Sequence, residues 1–369
     1  MKLLYAFPEP LPLPRARGIQ AVNTARAIAR AGVEVLLAHA PGDGEPLAAY
    51  GVAGVAGFRT VAVSRALPWP FARLHSNRMF MRRLAPLLER ERPDAAFVRH
   101  LKPARALRMR DAALPIVYEA HEVFADTAAP GKRAAVARLE RQALAAASLV
   151  IANSRATAER LQALYATGRD IAVVPNGVER PASMPGKDWT LAAERIVYAG
   201  SLFAWKGANE LVAAGARLAG CVITIAGGDA ADAAALRAHV DPNGARIEIP
   251  GRLPGDKVRA LLARSCIAVL PNRPDAQSAF TSPIKLFEYM AAGCAVVASD
   301  LPALREILAA DDAVWVHAGD PAALAEGIRM LVADPARARS LGERLYAKSA
   351  RFTWEARGAR IVELLRGLR

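Results

Sequence analysis

Short apolar runs alternate with amphipathic stretches along the chain, and each run has the length of a buried strand. This alternation is typical of βαβ units, in which helices connect the strands of a parallel sheet. In the first half, the pattern predicts strands at 2–7, 34–38, 95–98, 116–119, 149–152 and 171–174. It predicts helices there at 20–31, 71–90, 133–146 and 156–165.

The alternation stops at residues 179–192 and then starts again. That stretch is polar and contains Pro181, Pro185 and Gly186, so we predict a linker. Further strands are predicted at 195–199, 222–226, 247–249, 267–270, 295–298 and 313–316, and further helices between them and at 322–333, 335–349 and 354–365. We therefore predict an α/β protein with two Rossmann-like domains, at 1–178 and 193–352, and a central cleft.

The composition fits a soluble globular protein, because 53% of the residues are hydrophobic and 23% are charged. The three cysteines form no CxxC pair, so we expect reduced thiols in a cytoplasmic protein. The first six residues are predicted to form a strand rather than a signal peptide. No apolar run approaches the ~20 residues that a membrane-spanning helix needs.

Positive charge is concentrated in the first half of the chain. The net charge is +14, of which residues 1–180 carry +11. Such a surface favours a polyanionic partner, unless the arginines merely reflect an Ala- and Arg-rich composition. Nucleic acid is disfavoured as that partner, because aromatic–basic interleaving and RNA-binding motifs are missing. A dinucleotide-dependent dehydrogenase is disfavoured too, because no predicted strand ends in GxGxxG.

The most informative segment predicts a helix with Ser282 as its N-cap, Pro283 at its first position and Gly293 as its C-terminal stop. Lys285 lies in its first turn, where the helix dipole disfavours a cation by some tenths of a kcal/mol. A bound anion would reverse that preference. Glu288 follows on the same face, one turn further on. This spacing suits a nucleoside diphosphate, with Lys285 on phosphate and Glu288 on ribose, although an exposed Lys–Glu pair is the alternative.

The run SPIKLFEYMAAG, followed by CAVVASD, resembles the nucleotide-binding motif of retaining GT-B glycosyltransferases of the family 4 type, also called group 1. That family has two glutamates separated by seven residues. Glu288 matches the second, whereas Phe280 stands at the position of the first. Asp275 or backbone groups at 280–282 are candidates to replace its contact with the donor sugar. The resemblance implies donor-binding roles for the residues around this helix start, namely Thr281, Ser282, Pro283, Ile284 and Glu288.

A second run, at 198–207, follows a predicted strand and resembles the family's "G-R-L…K-G" motif. Gly200, Lys206 and Gly207 match, whereas Ser201 stands where arginine is usual. The resemblance implies that Lys206 neutralises the pyrophosphate and that Gly200 and Ser201 contact the donor. An exposed loop lysine is the alternative.

His121 belongs to the run Tyr118-Glu119-Ala120-His121-Glu122, which resembles the family's "E-x-H-[DE]" motif. The resemblance places this histidine near the donor sugar and the β-phosphate, whereas a purely structural histidine is the alternative. Weaker matches imply donor contacts for Gly18, which fills half of a Gly-Gly pattern, and for Gly228 and Arg252, which follow predicted strands. In the resembling fold a last helix, here 353–369, packs back on the first domain.

The resemblance implies a retaining, hexosyltransferase-type enzyme that moves a sugar from a nucleoside-diphosphate sugar to an acceptor hydroxyl. Its catalytic residues would be His121, Lys206 and Lys285. No cofactor and no metal are expected, because the histidines show no metal-ligand spacing and two lysines can neutralise the phosphates. A catalytically weak nucleotide-sugar-binding protein is the alternative, prompted by Phe280 and Ser201.

The segment 67–84 mixes aromatic residues, methionines and arginines. As one helix it would gather Phe80, Met81 and Leu84 on one face, flanked by Arg78, Arg82 and Arg83. That composition suits an anionic membrane interface, whereas a helix docked on the sheet is the alternative. Together with the charge, it favours a peripheral enzyme at the inner face of the plasma membrane. The expected acceptor is a lipid-linked or phosphorylated glycan, in cell-envelope polysaccharide or glycolipid synthesis.

Overall fold

The computed structural model of the chain describes residues 1–13, 15–47, 50, 55–71, 73–275 and 284–368. The chain forms two compact units. The first consists of Met1–Gly177 and the C-terminal segment Trp354–Arg369, and the second consists of Val178–Thr353.

The first unit is built on a parallel sheet of seven strands in its described residues. In chain order these strands are β1 (Lys2–Leu11), β2 (Glu34–Pro41), β3 (Phe58–Ala62), β4 (Ala95–Val98), β5 (Ile116–Ala120), β6 (Leu149–Ala152) and β7 (Ala172–Val173). Across the sheet their order is β3-β2-β1-β4-β5-β6-β7. The order of connection reverses between β1 and β4, which is the point where open α/β sheets bind ligands.

Helices connect these strands. They are α1 (Ala16–Arg30), α2 (Asn77–Glu91), α3 (Leu101–Arg110), α4 (Phe124–Thr127), α5 (Arg133–Ala146) and α6 (Arg155–Tyr165). The C-terminal helix Trp354–Arg366 packs on α1 and buries Trp354 and Ile361. Gly358 allows this close approach, because a Cβ atom there would lie 2.5 Å from the carbonyl carbon of Ala27.

The second unit repeats the plan with six parallel strands in its described residues. They are β8 (Ile196–Ala199), β9 (Val222–Ala226), β10 (Arg246–Gly251), β11 (Ile267–Leu270), β12 (Ala295–Ser299) and β13 (Val314–Val316), in the order β10-β9-β8-β11-β12-β13. Its helices are α7 (Ala208–Gly215), α8 (Ala230–Arg237), α9 (Gly255–Arg264), α10 (Ile284–Ala291), α11 (Pro302–Arg305), α12 (Pro321–Ala333) and α13 (Pro335–Ser349). The C-terminal helix is therefore α14. The reversal of order here lies between β8 and β11.

Strand β8 shows why the central strands are apolar at successive positions. Ile196 and Tyr198 point into the core on one face of the sheet, and Val197 and Ala199 point into the core on the other. A parallel strand that is covered by helices on both faces needs such a continuous apolar run. Two parallel sheets with helices between their strands confirm the predicted class of two Rossmann-like domains.

The helix predicted at 71–90 is wrong at its start, because α2 begins at Asn77. The Ser76 side chain caps it by accepting from the Arg78 amide at 3.1 Å. Upstream, Ala66 and His75 form an antiparallel bridge, which uses the backbone groups that a longer helix would need. Strand β3 was not predicted, since this edge strand is only half-buried and its sequence FRTVA is weakly apolar.

Residues 179–192, the predicted linker, fold with the second unit. Arg180 donates to the Ser349 hydroxyl at 3.0 Å and stacks on Tyr346. Lys187 donates to three carbonyl oxygens at the end of α9, at 2.6–3.0 Å. A lysine on the last carbonyls of a helix satisfies groups that would otherwise lack partners. These hydrogen bonds explain why a stretch that contains proline and glycine is attached to the second unit.

Candidate functional site

The predicted phosphate site lies where β8 and β11 end, at the switch point of the second sheet. Lys285 lies in the first turn of α10, as predicted. Its ammonium group donates to the Tyr198 hydroxyl at 2.6 Å and lies 4.0 Å from the centroid of that ring. The Tyr198 hydroxyl in turn donates to the Ser201 carbonyl oxygen at 2.6 Å. The tyrosine oxygen therefore accepts from Lys285 and holds the ammonium group at the end of β8.

Gly200 provides the space that Lys285 occupies. A Cβ atom at this position would lie 2.5 Å from both the Cδ and the Cε atoms of Lys285. Gly227, after β9, has a φ of +150° and its Cβ atom would lie 2.7 Å from the carbonyl carbon of Gly200. Any side chain at either glycine would therefore displace the lysine or the strand ends.

Lys206 is the second cation of this site. It ends a 3-10 turn at Ala204–Lys206, two residues before α7, and its ammonium group lies 3.7 Å from the Trp205 ring centroid. Burial lowers the pKa of Lys206 to about 7. Burial also lowers the pKa of Lys285, and the charge of Lys206 lowers it further. The two ammonium groups are therefore close enough to repel each other.

Neither lysine is an exposed residue, so the alternatives of an exposed Lys–Glu pair and an exposed loop lysine do not describe this site. Lys206 is only 8% exposed, and Lys285 is half-buried. Within the described ranges, neither ammonium group forms an ion pair with a carboxylate, and Lys285 hydrogen-bonds to Tyr198 alone. Glu288 attracts Lys285 without an ion-pair contact and offsets part of the cost of desolvating two cations, and a bound anion would lower the remaining cost.

Glu288 lies one turn after Lys285 on α10 and is half-buried. Burial raises its pKa to about 7, and the positive charges of Lys285 and Arg259 oppose that rise. In its ionised form this carboxyl group accepts hydrogen bonds from hydroxyl groups with little competition from water.

The other donor-site residues predicted in the second unit follow neighbouring strands. Gly228 is buried after β9, and Arg252 is exposed after β10. Backbone bonds join these strand ends, from the Gly200 amide to the Ala226 oxygen and from the Gly227 amide to the Gly251 oxygen, both at 2.8 Å. Ile284 is the first residue of α10. Phe280, Thr281, Ser282 and Pro283, which carried the predicted cap and the departure from the family motif, lie outside the described residues.

In the first unit, His121 follows β5 and its side chain is 14% exposed. Its Nε2 atom lies 2.8 Å from the Oε2 atom of Glu119, a fully buried carboxylate. Burial lowers the pKa of His121 to about 4, and the nearby Arg99 and Arg357 act in the same direction, whereas Glu119 opposes them. His121 is therefore a neutral imidazole near pH 7.

Gly18 is buried in the first turn of α1, after the long strand β1. A Cβ atom there would lie 2.8 Å from the Leu13 Cβ atom and 2.9 Å from the Tyr50 hydroxyl. Tight packing against this loop therefore accounts for the glycine on its own, and the contact predicted with the donor stays a prediction.

Three features of these sites were missed from the sequence. They are the contact of the Tyr198 ring with Lys285, the contact of the Trp205 ring with Lys206, and the buried pair of Glu119 and Arg357. A glutamate inside the apolar run 116–120 was the available signal, since a buried carboxylate requires a partner. Nothing in the sequence identified Arg357 as that partner, because 238 positions separate the two residues.

In the described part of the chain, no group of three His, Cys, Asp or Glu side chains is arranged to hold a metal ion. The helices of the same residues include none that is both long and apolar enough to cross a membrane.

Two family models match the chain, one in each unit. The model described as "Glycosyltransferase Family 4" matches residues 18–180, and the model described as "Glycosyl transferases group 1" matches residues 193–334. Two curated relatives are an alpha-maltose-1-phosphate synthase from Mycolicibacterium smegmatis and a D-inositol 3-phosphate glycosyltransferase from Catenulispora acidiphila. The first is 31% identical over 55% of this chain and 59% of its own length. The second is 26% identical over 71% of this chain and 68% of its own length.

Solved structures share the fold over the complete chain. Sucrose-phosphate synthase from Thermosynechococcus elongatus has a TM-score of 0.77 at 19% identity, covering 100% of this chain and 99% of its own. HepE from Anabaena, solved in complex with UDP, has a TM-score of 0.73 at 18% identity, covering 100% of both chains. With a family model matched in each unit and this fold in common, the chain belongs to the nucleotide-sugar-dependent glycosyltransferases of family 4 and group 1, which have the GT-B fold.

Proposed function

We propose that the chain transfers a sugar from a nucleoside-diphosphate donor to an acceptor hydroxyl group, with retention of the anomeric configuration. The observation that carries this proposal is the pair of ammonium groups at the switch point of the second sheet, Lys206, which is buried, and Lys285, which is half-buried. A diphosphate is an anion of the size and charge that such a pair suits. The HepE structures with UDP and with UDP-glucose support a nucleotide sugar as the donor.

In the proposed reaction the bond between the anomeric carbon and the β-phosphate oxygen breaks, and a bond to the acceptor oxygen forms on the same face. The acceptor proton passes to the departing β-phosphate, so the products are a glycoside and a nucleoside diphosphate. Negative charge grows on the phosphate in the transition state. Preorganised donors aimed at such charge contribute roughly 3 kcal/mol each in other enzymes, and we assign Lys206, Lys285 and the start of α10 to this role.

Glu288 is proposed to accept hydrogen bonds from the ribose hydroxyls, since it lies one turn beyond Lys285 on the same helix. We assign no nucleophilic carboxylate, because Glu288 is committed to the ribose, and a double displacement would require a second carboxyl group about 5 Å from the first. His121 is proposed to orient the donor sugar. Gly18, Gly200, Ser201, Gly228, Arg252 and residues 281–284 are proposed to line the donor site.

We propose that turnover needs no metal ion, because two ammonium groups already supply the charge that Mg²⁺ supplies in many phosphate sites. Treatment with EDTA should therefore leave the rate of diphosphate release unchanged. A loss of activity that Mg²⁺ or Mn²⁺ restores would contradict this part of the proposal.

The proposed acceptor is a phosphorylated or lipid-linked glycan, in the synthesis of a cell-envelope polysaccharide or glycolipid. Two observations support it. The first unit carries most of the positive charge, and phosphorylated compounds appear in the names of both curated relatives and of sucrose-phosphate synthase. A place at the inner face of the plasma membrane is part of the same proposal.

The surface that would contact the membrane differs from the predicted helix face. Phe80 and Leu84 are fully buried in the first unit, so they are not available to lipid. In the segment before α2, Trp69 is 88% exposed, Phe71 62% and Leu74 57%. Arg73 in the same segment and Arg78 and Arg82 in α2 are also exposed. Aromatic residues with nearby arginines suit an anionic interface, where each basic residue contributes about 1 kcal/mol.

Vesicle sedimentation tests this surface. The chain should pellet with anionic vesicles at low salt, and replacing Trp69, Phe71 and Leu74 by serine should release it. The matched control is Met109→Ser, which removes a 74% exposed apolar side chain of the same unit. Equal sedimentation of the triple variant and the control would contradict the proposed contact with a membrane.

Incubation with a panel of nucleotide sugars, followed by measurement of diphosphate release, tests the activity itself. We expect release with one base and a few related sugars, and faster release when a phosphorylated or lipid-linked acceptor is added. Tight donor binding without release in the presence of any acceptor would instead favour a nucleotide-sugar-binding protein of the same fold.

A further inference from the structure

Two neighbouring helices of the first unit, α3 and α5, are joined by arginine side chains. Arg105 donates to the Gln142 side-chain oxygen at 3.3 Å, and Arg108 donates to the Ala146 carbonyl oxygen at 3.0 Å. Both contacts run from α3 to α5, and their order along the chain is the same in the two helices. The helices are therefore parallel, and position 105 lies beside position 142.

This pair of helices exposes positive charge that has no acidic partner. Its exposed cations, none of which forms an ion pair with a carboxylate within the described residues, are Lys102, Arg105, Lys132, Arg133, Arg138 and Arg141. Helix α3 contains no acidic residue, and α5 contains Glu140 alone. Glu140 is buried and accepts from the amides of Phe124 and Ala125 at 2.8 and 3.2 Å and from the Tyr165 hydroxyl at 2.7 Å. Its oxygen atoms are thus occupied inside the unit.

Arginines on other helices of the same unit have acidic partners. Arg30 of α1 lies 2.9 Å from Glu355, and Arg360 of α14 lies 2.6 Å from Glu363. At the end of α3, Arg110 is paired with Glu89 of α2. The excess of positive charge is therefore localised on α3 and α5, which an arginine-rich composition alone does not explain.

The exposed cations form a continuous surface. Lys102, Arg105 and Met109 follow each other at spacings of three and four residues, so they lie along one side of α3. Arg138 and Arg141 lie on the exposed side of α5, in the turn beside Arg105. Because α3 begins directly after β4, both parallel helices have their N-termini at the carboxyl edge of the sheet, where the helix dipoles add to the positive potential. We call this surface, from Lys102 to Met109 and from Lys132 to Ala145, the α3–α5 surface.

We propose that the α3–α5 surface binds a linear glycan that carries anionic groups on successive sugars. This glycan would be the part of the acceptor that extends beyond its reacting sugar, so the inference rests on the proposed function. Guanidinium groups suit this ligand, because they bind carboxylate and phosphate groups through two parallel hydrogen bonds. The surface begins at the edge of the sheet where α/β proteins bind ligands and leads away from it.

Two other polyanions fit the surface less well. Single-stranded nucleic acid is bound through aromatic side chains that stack on bases, and neither α3 nor α5 contains an aromatic residue. A membrane-surface helix inserts an apolar face into the lipid, whereas Met109 is the large hydrophobic residue that the described residues of these helices expose. A hydrophilic polymer with regularly spaced charge needs neither feature.

Fluorescence anisotropy with a labelled oligogalacturonate, in the absence of any nucleotide sugar, tests this proposal. The wild-type chain should bind it, and the affinity should fall as salt is added. A neutral malto-oligosaccharide should not bind. The triple variant Arg105→Gln, Arg138→Gln, Arg141→Gln should raise the Kd at least about tenfold, because it removes three of the proposed contacts.

The matched control is Arg217→Gln, Lys257→Gln, Arg264→Gln, which removes the same charge from exposed residues of the second unit. Its Kd should change less than about twofold. An equal loss in both triple variants would mean that only the net charge attracts the glycan, and it would overturn the proposal, as would a complete lack of binding. Tighter binding of single-stranded DNA or of anionic vesicles through the same three arginines would overturn the glycan as the ligand.

The assay contains no donor, so its result is separate from that of the donor screen. Failure of the proposed function would appear as an absence of diphosphate release with every donor, while the oligogalacturonate could still bind. Failure of this inference would appear as turnover without any effect of the three arginines on binding.

Discussion

The cluster around Glu119 in the first unit and the pair Lys206 and Lys285 in the second both bury charge at the carboxyl edge of a parallel sheet. The first cluster balances its charge internally, since the carboxylate has a guanidinium partner. The second keeps an excess of positive charge, since neither cation forms an ion pair among the described residues and Glu288 attracts Lys285 only from a distance. The comparison distinguishes paired charge, which fixes the positions of side chains, from excess charge, which a ligand would neutralise. Variants of the first cluster should lose stability, whereas variants of the second should lose turnover.

The largest effect on stability is expected at the balanced cluster. Arg357→Met leaves Glu119 buried without its cation, and breaking such a pair typically costs about 3–5 kcal/mol. The free energy of unfolding, measured with urea, should fall by that amount. Arg360→Met is the matched control, because that arginine lies on the same helix at 50% exposure and should change stability by less than about 0.5 kcal/mol. A small loss at Arg357 would mean that the carboxylate is hydrated or protonated.

The largest effect on turnover is expected at the unbalanced pair. Lys285→Met should lower kcat/KM by about 10²-fold or more, since it removes a preorganised donor to the departing phosphate. Folding should be retained, because Lys285 forms no ion-pair contact with a carboxylate among the described residues. Lys257→Met, at an exposed lysine of α9, is the control for loss of charge. Near-normal turnover of the Lys285 variant would remove the phosphate assignment.

A smaller effect is expected at Glu288. Glu288→Gln keeps the shape but weakens acceptance from the ribose hydroxyls, so the Kd for a free nucleoside diphosphate should rise about tenfold, which is about 1.4 kcal/mol. Glu248→Gln, at an exposed glutamate of β10, should leave the Kd unchanged. If both variants bind like the wild type, Glu288 is only a helix-surface partner of Lys285.

The two regions differ in how much of their structure could be predicted from the sequence. The strand pattern and the run from Lys285 to Gly293 located the second site, because a cation in the first turn of a helix is a local anomaly that sequence reveals. Tyr198 and Trp205, which support the two lysines, were hidden because ring orientation depends on tertiary packing. The partner of Glu119 was hidden for another reason: Arg357 reaches it only after the C-terminal helix has packed on α1.

The smallest predicted effect is a gain in stability at Lys206, which is opposite in sign to the loss predicted at Arg357. Lys206→Met removes a buried ammonium group that has no carboxylate partner in the described part of the chain, so the free energy of unfolding should rise by about 0.5–2 kcal/mol while activity falls. The same urea titration that records the loss at Arg357 records this gain. A loss of stability at Lys206 would show that its charge is already compensated in the free protein.

The central claim is that Lys206 and Lys285 form an anion site that is unbalanced until a nucleoside diphosphate binds. The pKa of Lys206 is about 7 in the free protein, and a bound diphosphate raises it. Below pH 7 the lysine is already protonated. Above pH 7 binding must take up a proton, so affinity should fall as the pH rises from 7.5 to 9, a range in which the terminal phosphate, with its second pKa near 6, stays fully ionised.

Titration calorimetry with UDP, GDP and ADP at pH 8, in two buffers of different ionisation enthalpy, measures this directly. The account predicts that one of the three binds the wild-type chain with proton uptake, and that the double variant Lys206→Met, Lys285→Met binds it at least about 100-fold more weakly and without uptake. Equal affinity of the double variant, or an affinity that rises between pH 7.5 and 9, would contradict the account.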